Sequence, residues 1–253
     1  MTIQPIWFEE TQVKTYETDF QQQWRPACFS QAMQEAAAHH ATHLGFGFKE
    51  MMANDQIWIL SRVRIRFHAF PAIEDVVKIE TWPKGIQQRL LFMRDFYLRN
   101  AAGSCLADGS TGWLLVNPSA RRILPPGALQ GGSVPDNGGR SAIAEPLEKL
   151  NPPVGLPVRL SIAAGYSAVD LLGHVTSSRY LDWIGDAFTL EEHAAHRLAE
   201  LQINYTSEVL PGQRVVLAAG PDPVDPSLWW AVGTHQLTGA RAFEAFLRFA
   251  EMI

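Results

Sequence analysis

YSAVDLLGHVTSSRYLDW, residues 166–183, changes character part-way along its length. Its first half is a polar, glycine-bearing stretch that carries Asp170 and His174, four positions apart. Its second half begins a helix. Tyr180, Leu181, Trp183, Ile184, Ala187 and Phe188 fall at i, i+1, i+3, i+4, i+7 and i+8, which makes one wide apolar face. Thr176 and Ser177 are residue types that cap a helix start. A carboxylate and an imidazole are thus set just ahead of a helix N-terminus.

Strands are expected to follow. Leu201, Ile203 and Tyr205 alternate with polar neighbours, Pro211-Gly212 makes a turn, and 214–219, 228–237 and 242–249 complete a sheet. The first half of the chain has the same outline. Asp19 stands 151 residues before Asp170. Phe29, Met33, Ala36, Ala37, His40 and Leu44 give a helical rhythm that Gly45 ends. In 58–70, Val63, Ile65 and Phe67 alternate with Arg62, Arg64 and Arg66. Strands over 75–82 and 112–117 and a hairpin at 100–103 follow. In the loose alignment Gln23 stands where His174 does and Phe70 about where Glu208 does, so only the second half carries an acid and a base.

Between the halves, 14 of the 40 residues from Pro118 to Pro157 are Pro or Gly, too many to sustain helix or sheet. The expected organisation is residues 1–120, a linker over 121–157, and 158–253. The fold class is α+β: a single helix with so wide an apolar face needs a curved antiparallel sheet to wrap it. That is a hotdog, here in tandem as a double hotdog.

Composition excludes several classes. The net charge of −5 argues against a general nucleic-acid binder. No apolar run reaches the roughly 18 residues of a membrane span. MTIQPIWFEE does not read as a secretory signal, and Cys28 and Cys105 fit neither a disulfide framework nor a zinc cage, so a reducing cytoplasm is expected. His39 and His43 share a helix face, but no Glu stands in an H-E-x-x-H arrangement. There is neither a P-loop nor a dinucleotide fingerprint.

The stretch 166–183 resembles the active-site segment of the acyl-acyl carrier protein thioesterases, whose pattern is roughly Y-S-D-x-D-x-N-x-H-V-N-N-x-x-Y. WILSR at 58–62 and ETWPKG at 80–85 resemble that family's W-x-L-S-R and E-T-W-P-x-G strands. The resemblance implies hydrolysis of fatty acyl thioesters on acyl carrier protein, without cofactor or metal. It implies Asp170, His174 and Glu208 as catalytic residues. The chain departs from the pattern in having Leu172 for the motif asparagine, Thr176-Ser177 for the Asn-Asn pair and Val209 for the cysteine after the glutamate.

Hydrolysis needs an activated water, an oxyanion site and a held substrate. Glu208 is read as the general base, a role that asks for burial to make its carboxylate basic enough, and His174 as the group that orients the carbonyl or the water. Asp170 holds His174 or the loop. The helix start at Thr176 and Ser177 supplies oxyanion donors. Leu172, Trp58 and Trp183 are read as pocket walls for the acyl chain. The partners expected are acylated carrier protein and its acyl chain, with no nucleic acid; the chain is expected as a monomer or homodimer. Arg62, Arg64 and Arg66 form a basic strip that either docks the acidic carrier or is a solvated sheet face. The alternatives are a hotdog acyl-CoA thioesterase and, because of Leu172, a non-catalytic acyl-thioester-binding protein. A hydratase of Asp-x-Asn-Pro-x-His type does not fit, since the step from Asp170 to His174 is four and lacks proline.

Overall fold

A computed structural model describes residues 3–131, 134–137 and 139–250. The chain divides into two compact units, Met1–Leu147 and Glu148–Ile253. The first contains β1 (Trp7–Gln12), α1 (Pro26–His43), the short α2 (Phe48–Ala53), β2 (Ile57–Phe67), β3 (Val76–Gln87), β4 (Leu91–Asn100), β5 (Cys105–Asn117) and β6 (Arg122–Ile123). Its strands pair antiparallel in the order β1-β3-β4-β5-β2, with β6 on β5.

Sequence period explains both layers. Along β2, Val63, Ile65 and Phe67 are buried; the three arginines between them point to the opposite face. Helix α1 starts with Pro26, whose missing N–H has no helical partner to lose, and ends before Gly45 at φ 83°. Phe29, Met33, Ala36, Ala37 and His40 form its buried stripe, as their spacing predicts. The stripe faces the sheet: a Cβ on Gly109 of β5 would lie 2.4 Å from Met33 Cε.

Part of the expected linker is packed against the first unit. Ile143 and Leu147 are fully buried, and Leu147 clusters with Leu91 and Met93. The Ala142 N–H donates to Asp95 Oδ2 at 2.7 Å, and Lys84 Nζ lies 3.1 Å from the same carboxylate. Proline and glycine prevent regular structure there but leave enough apolar side chains to cover a sheet face. The arginine strip helps hold this segment. Arg62 donates to the Leu147 carbonyl, and Arg66 pairs with Glu145 at 2.7 Å. The strip is thus neither a bare docking patch nor simply a solvated face.

The second unit contains β7 (Val158–Ala163), α3 (Ser177–Asp186), α4 (Leu190–Ala195), β8 (Arg197–Tyr205), β9 (Arg214–Pro221), β10 (Leu228–His235) and β11 (Arg241–Ala250). Its antiparallel order, β7-β9-β10-β11-β8, repeats that of the first. Helix α3 is shorter than expected because Thr189 and Glu192 form a capping box that starts α4 afresh. Tyr180 of α3 packs edge-on against Phe243 of β11, with ring centroids 5.2 Å apart.

The units also repeat their loop hydrogen bonds. The Asp19 N–H donates to the Gln23 carbonyl and the Asp170 N–H to the His174 carbonyl, each at 2.9 Å. Trp24 N–H donates to Pro71 as Val175 N–H does to Val209, again at 2.9 Å. Arg25 bonds Glu17, and Thr176 bonds Ala168. These pairs match the aspartates as equivalents on structural grounds.

Gly233 of β10 makes room for the Phe243 ring, since a Cβ there would lie 2.1 Å from Phe243 Cε1. Gly233→Ala is expected to lower the unfolding free energy by about 1–3 kcal/mol in urea titrations. Burial, chiefly, and the Arg94 charge push the His40 imidazole down from 6.5 to about 4. The unfolded chain therefore binds a proton that the folded one refuses. Stability is full above pH 6.5 and is lost as pH falls toward 4, by at most about 3 kcal/mol from this group. Urea titrations of wild type and His40→Gln across that range check this, since the variant lacks the term.

Candidate active site

The second unit's turn is built on one carboxylate. Asp170 Oδ1 accepts the Leu172 N–H at 2.8 Å, the Gly173 N–H bonds the Asp170 carbonyl at 3.0 Å, and Gly173 takes the left-handed φ of 79° that closes the turn. The second oxygen, Oδ2, lies 3.4 Å from His174 Nδ1. Asp170 therefore fixes the backbone with one oxygen and the imidazole with the other. Both side chains are about a quarter exposed, at 26% and 23%.

The turn is tied to the segment after β8. The Val175 N–H donates to the carbonyl of Val209, which is fully buried; Glu208 immediately before it is exposed, so the burial expected of the general base is not found, because the chain has left β8 at Tyr205 and only Val209 turns inward. Sequence reading missed Tyr180, which it treated only as part of the apolar helix face. The Tyr180 hydroxyl feels the Val209 backbone as a favourable polar neighbour. Burial above all, then the charges of Asp170 and Glu208, hold its phenol well above the ordinary tyrosine range. It is a neutral hydroxyl within the field of both carboxylates. The signal that could have found it is a tyrosine among leucine, tryptophan and isoleucine, since a buried hydroxyl needs a polar partner.

Thr176 stands at the N-cap of α3, but its side chain makes no capping hydrogen bond. The Ser177 carbonyl accepts from the Tyr205 hydroxyl at 2.9 Å, and burial raises the Tyr205 phenol too. Trp183 is buried, its ring 5.2 Å from that of Tyr180. Leu172 is 37% exposed and lends the turn only its backbone N–H. Next to Glu208, Ser207 Oγ lies 2.9 Å from His235 Nε2, a histidine that sequence reading did not single out.

Trp58 belongs to the first unit. Its indole N–H donates to the Phe46 carbonyl at 3.3 Å, and its ring meets Phe92 edge-on at 4.8 Å. That unit's own turn is held more firmly than its counterpart: Asp19 Oδ1 accepts from both Gln21 and Gln23 N–H groups, at 2.9 and 3.0 Å. Of the histidines that share a helix face, His39 pairs with Glu9 and Glu35, while the His43 ring packs on Trp7 with centroids 5.5 Å apart, so the two are not brought to a common ligand set.

Residues 6–125 match the model of the acyl-ACP thioesterase N-terminal domain, and residues 157–233 match that of the acyl-ACP thioesterase C-terminal domain. The chain belongs to the acyl-ACP thioesterase family. It is 24% identical over 217 residues to oleoyl-acyl carrier protein thioesterase 2, chloroplastic, of Arabidopsis thaliana, covering 78% of this chain and 58% of that protein. It is 23% identical over 263 residues to the oleoyl-acyl carrier protein thioesterase, chloroplastic, of Coriandrum sativum, covering 95% of this chain and 70% of that protein. The chain thus spans little more than half the length of the first of these relatives. A crystal structure of an acyl-ACP thioesterase from Bacteroides thetaiotaomicron VPI-5482 superposes with a TM-score of 0.80 at 22% identity, covering 97% of this chain and 98% of that one. The 12:0-ACP thioesterase from Umbellularia californica gives 0.78 at 18% identity, with 98% of each chain covered. At these identities the likeness speaks for the fold. No helix among the described residues is long and apolar enough to cross a membrane.

In this thioesterase family member the two aspartate turns form a matched pair. Asp170→Ala and Asp19→Ala are each expected to cost about 1–3 kcal/mol, with Asp19 the larger because it holds two N–H groups. Only Asp170→Ala should shift the ring resonances of His174. Urea titration and histidine NMR spectra check both points.

Proposed function

We propose that this protein hydrolyses fatty acyl thioesters carried on acyl carrier protein, giving a free fatty acid and the carrier thiol. The observation that carries the reading is the turn that fixes His174 on Asp170 and is tied by Val175 N–H to the segment bearing Glu208. The equivalent turn in the first unit has Gln23 and, on its partner segment, Phe70. The reading is therefore one active site per chain, in the second unit. It goes with a double hotdog in which residues 1–120 supply acyl-binding surface, including Trp58, and residues 158–253 supply the chemistry, with Trp183 behind the site.

In this mechanism Glu208 takes a proton from water as the oxygen attacks the thioester carbonyl carbon. His174, oriented by Asp170, aims the carbonyl or the water. The oxyanion is received at the N-terminal turn of α3, beginning at Thr176 and Ser177, where the helix dipole is positive. The intermediate collapses by breaking the carbon–sulfur bond, and the proton on Glu208 passes to the departing thiolate. No cofactor enters the balance. The side chain of Leu172 is not used by the turn, so a leucine there leaves the arrangement standing.

The test is thiol release from acyl-carrier substrates of several chain lengths, with the same acyl groups on coenzyme A as comparison. Turnover is expected to favour the carrier. Glu208→Gln and His174→Gln should each lower kcat by at least about 100-fold with unchanged unfolding midpoints, and Leu172→Asn should keep or raise it. Faster turnover of the coenzyme A esters would replace the substrate class. Tight binding without thiol release over hours would replace catalysis by acyl-thioester binding. Full activity in either Gln variant would remove the residue assignment.

A further inference from the structure

A second cluster of reactive side chains lies in the first unit and uses none of the residues above. Among the described residues, one group of three has the makings of a metal site: His68, Cys105 and Asp108, whose ligand atoms all lie within 4.8 Å of one another. His68 Nε2 is 2.9 Å from Asp108 Oδ2, and Cys105 Sγ is 3.3 Å from Asp108 Oδ1. The chain's two cysteines gave no metal spacing in the sequence, because what unites these residues is a strand irregularity.

Cys105 and Asp108 are three apart on β5, so regular alternation would send them to opposite faces. Opposite β5, however, Leu98 of β4 pairs with Ala107 and Arg99 with Cys105, so Leu106 is the extra residue of a β-bulge. A bulge re-phases the side chains on either side of it, which brings Cys105 onto the face of Asp108. The Leu106 carbonyl then accepts both the His68 N–H at 2.8 Å and the Ala69 N–H at 3.2 Å. One inserted residue thus re-aims the thiol and anchors the histidine just past the end of the neighbouring strand β2. Cys105 and Asp108 stand on sheet backbone, and His68, one residue past the end of β2, is held to the same strand by its N–H bond to Leu106.

We propose that His68, Cys105 and Asp108 form a binding site for a zinc-class divalent cation, with water completing the coordination. One thiolate, one imidazole and one carboxylate make a mixed sulfur, nitrogen and oxygen set, which suits tetrahedral zinc and disfavours calcium or magnesium. Three protein ligands leave a fourth position for water. The Asp108 oxygens that now receive the thiol and the imidazole are the ones a cation would share. Burial and Asp108 push the Cys105 thiol up to about 11. Binding as thiolate releases the thiol proton to solvent. The cations facing the group, Arg99 beside Cys105 and Arg66 opposite Asp108, work against an added positive charge; Arg66 is itself paired with Glu145.

The experiment is anaerobic titration of the full chain with Co2+, which reports thiolate ligation by a sulfur-to-metal charge-transfer band in the near ultraviolet. One Co2+ per chain with that band is expected, displaced by Zn2+. Cys105→Ser should abolish the band, His68→Ala should weaken binding by at least about tenfold, and Cys28→Ser should change neither. Absence of the band in saturated wild type, or its survival in Cys105→Ser, overturns the proposal. A measurement on wild type alone covers the case of misfolded variants: Zn2+ is expected to protect Cys105 from alkylation by iodoacetamide, and equal alkylation with and without Zn2+ overturns it. None of these readouts depends on thioester turnover.

Discussion

An aspartate that accepts the N–H two residues on, while its own N–H reaches the carbonyl four residues on, closes the loop ahead of each main helix. Everything proposed for the second unit depends on that closure. It sets where α3 begins, it presents His174, and it positions Val175 to bond Val209 beside Glu208. The closure is made by backbone and one carboxylate. Position 172 contributes only its N–H, so the turn is indifferent to whether asparagine or leucine stands there. Asp170 has structural work to do whether or not it takes part in chemistry. The recurrence of the turn at Asp19, where no histidine follows, argues that holding the loop is its basic role and that orienting His174 is added to it.

Tyr180 shows how packing and polarity share one side chain. Its ring lies among Trp183, Tyr205 and Phe243, which makes it core. Its hydroxyl meets the Val209 backbone in the field of Asp170 and Glu208. Low polarizability and two nearby negative charges both oppose ionisation, so the group stays an O–H through the whole range in which carboxylates and imidazoles change state. It can hold the Val209 segment and stabilise neighbouring negative charge without taking up or losing a proton.

The parts of the fold that the sequence foretold are those where one physical pattern acted alone. The α1 stripe from Phe29 to His40 and the Val63, Ile65, Phe67 alternation are each the trace of a single buried face. Strand β4 escaped because both its faces are covered: Leu91 and Met93 point toward Leu147, and Phe92 meets Trp58 from the other side, so no alternation survives. Strands β1 and β7 escaped as short, partly exposed edges. The segment after Pro118 misled because composition reports that a chain cannot sustain helix or sheet for long, and is silent on whether Ile143 and Leu147 find a surface. At the site, Asp170 and His174 were legible as neighbours in sequence. Tyr180 and His235 were not, since their partners come from other elements.

The two units also show how a repeated scaffold can carry an exposed charge in one copy and a packed ring in the other at a single position. Where the second unit presents Glu208 before Val209, the first has Phe70 before Pro71, with the same hydrogen bond from the turn to the following carbonyl. Phe70 stacks on Phe67 at 5.1 Å and meets Phe29 edge-on at 5.6 Å. Phe29 in turn packs on Trp24, the residue equivalent to Val175. An aromatic cluster therefore fills the corner that in the second unit stays open around an exposed carboxylate. A charge placed there would be desolvated against rings that offer it no hydrogen bond, which costs several kcal/mol. Conversely, an aromatic at position 208 would find no such cluster waiting. The backbone is common to both units, and the environment of that one side chain separates an open, charged corner from a packed one.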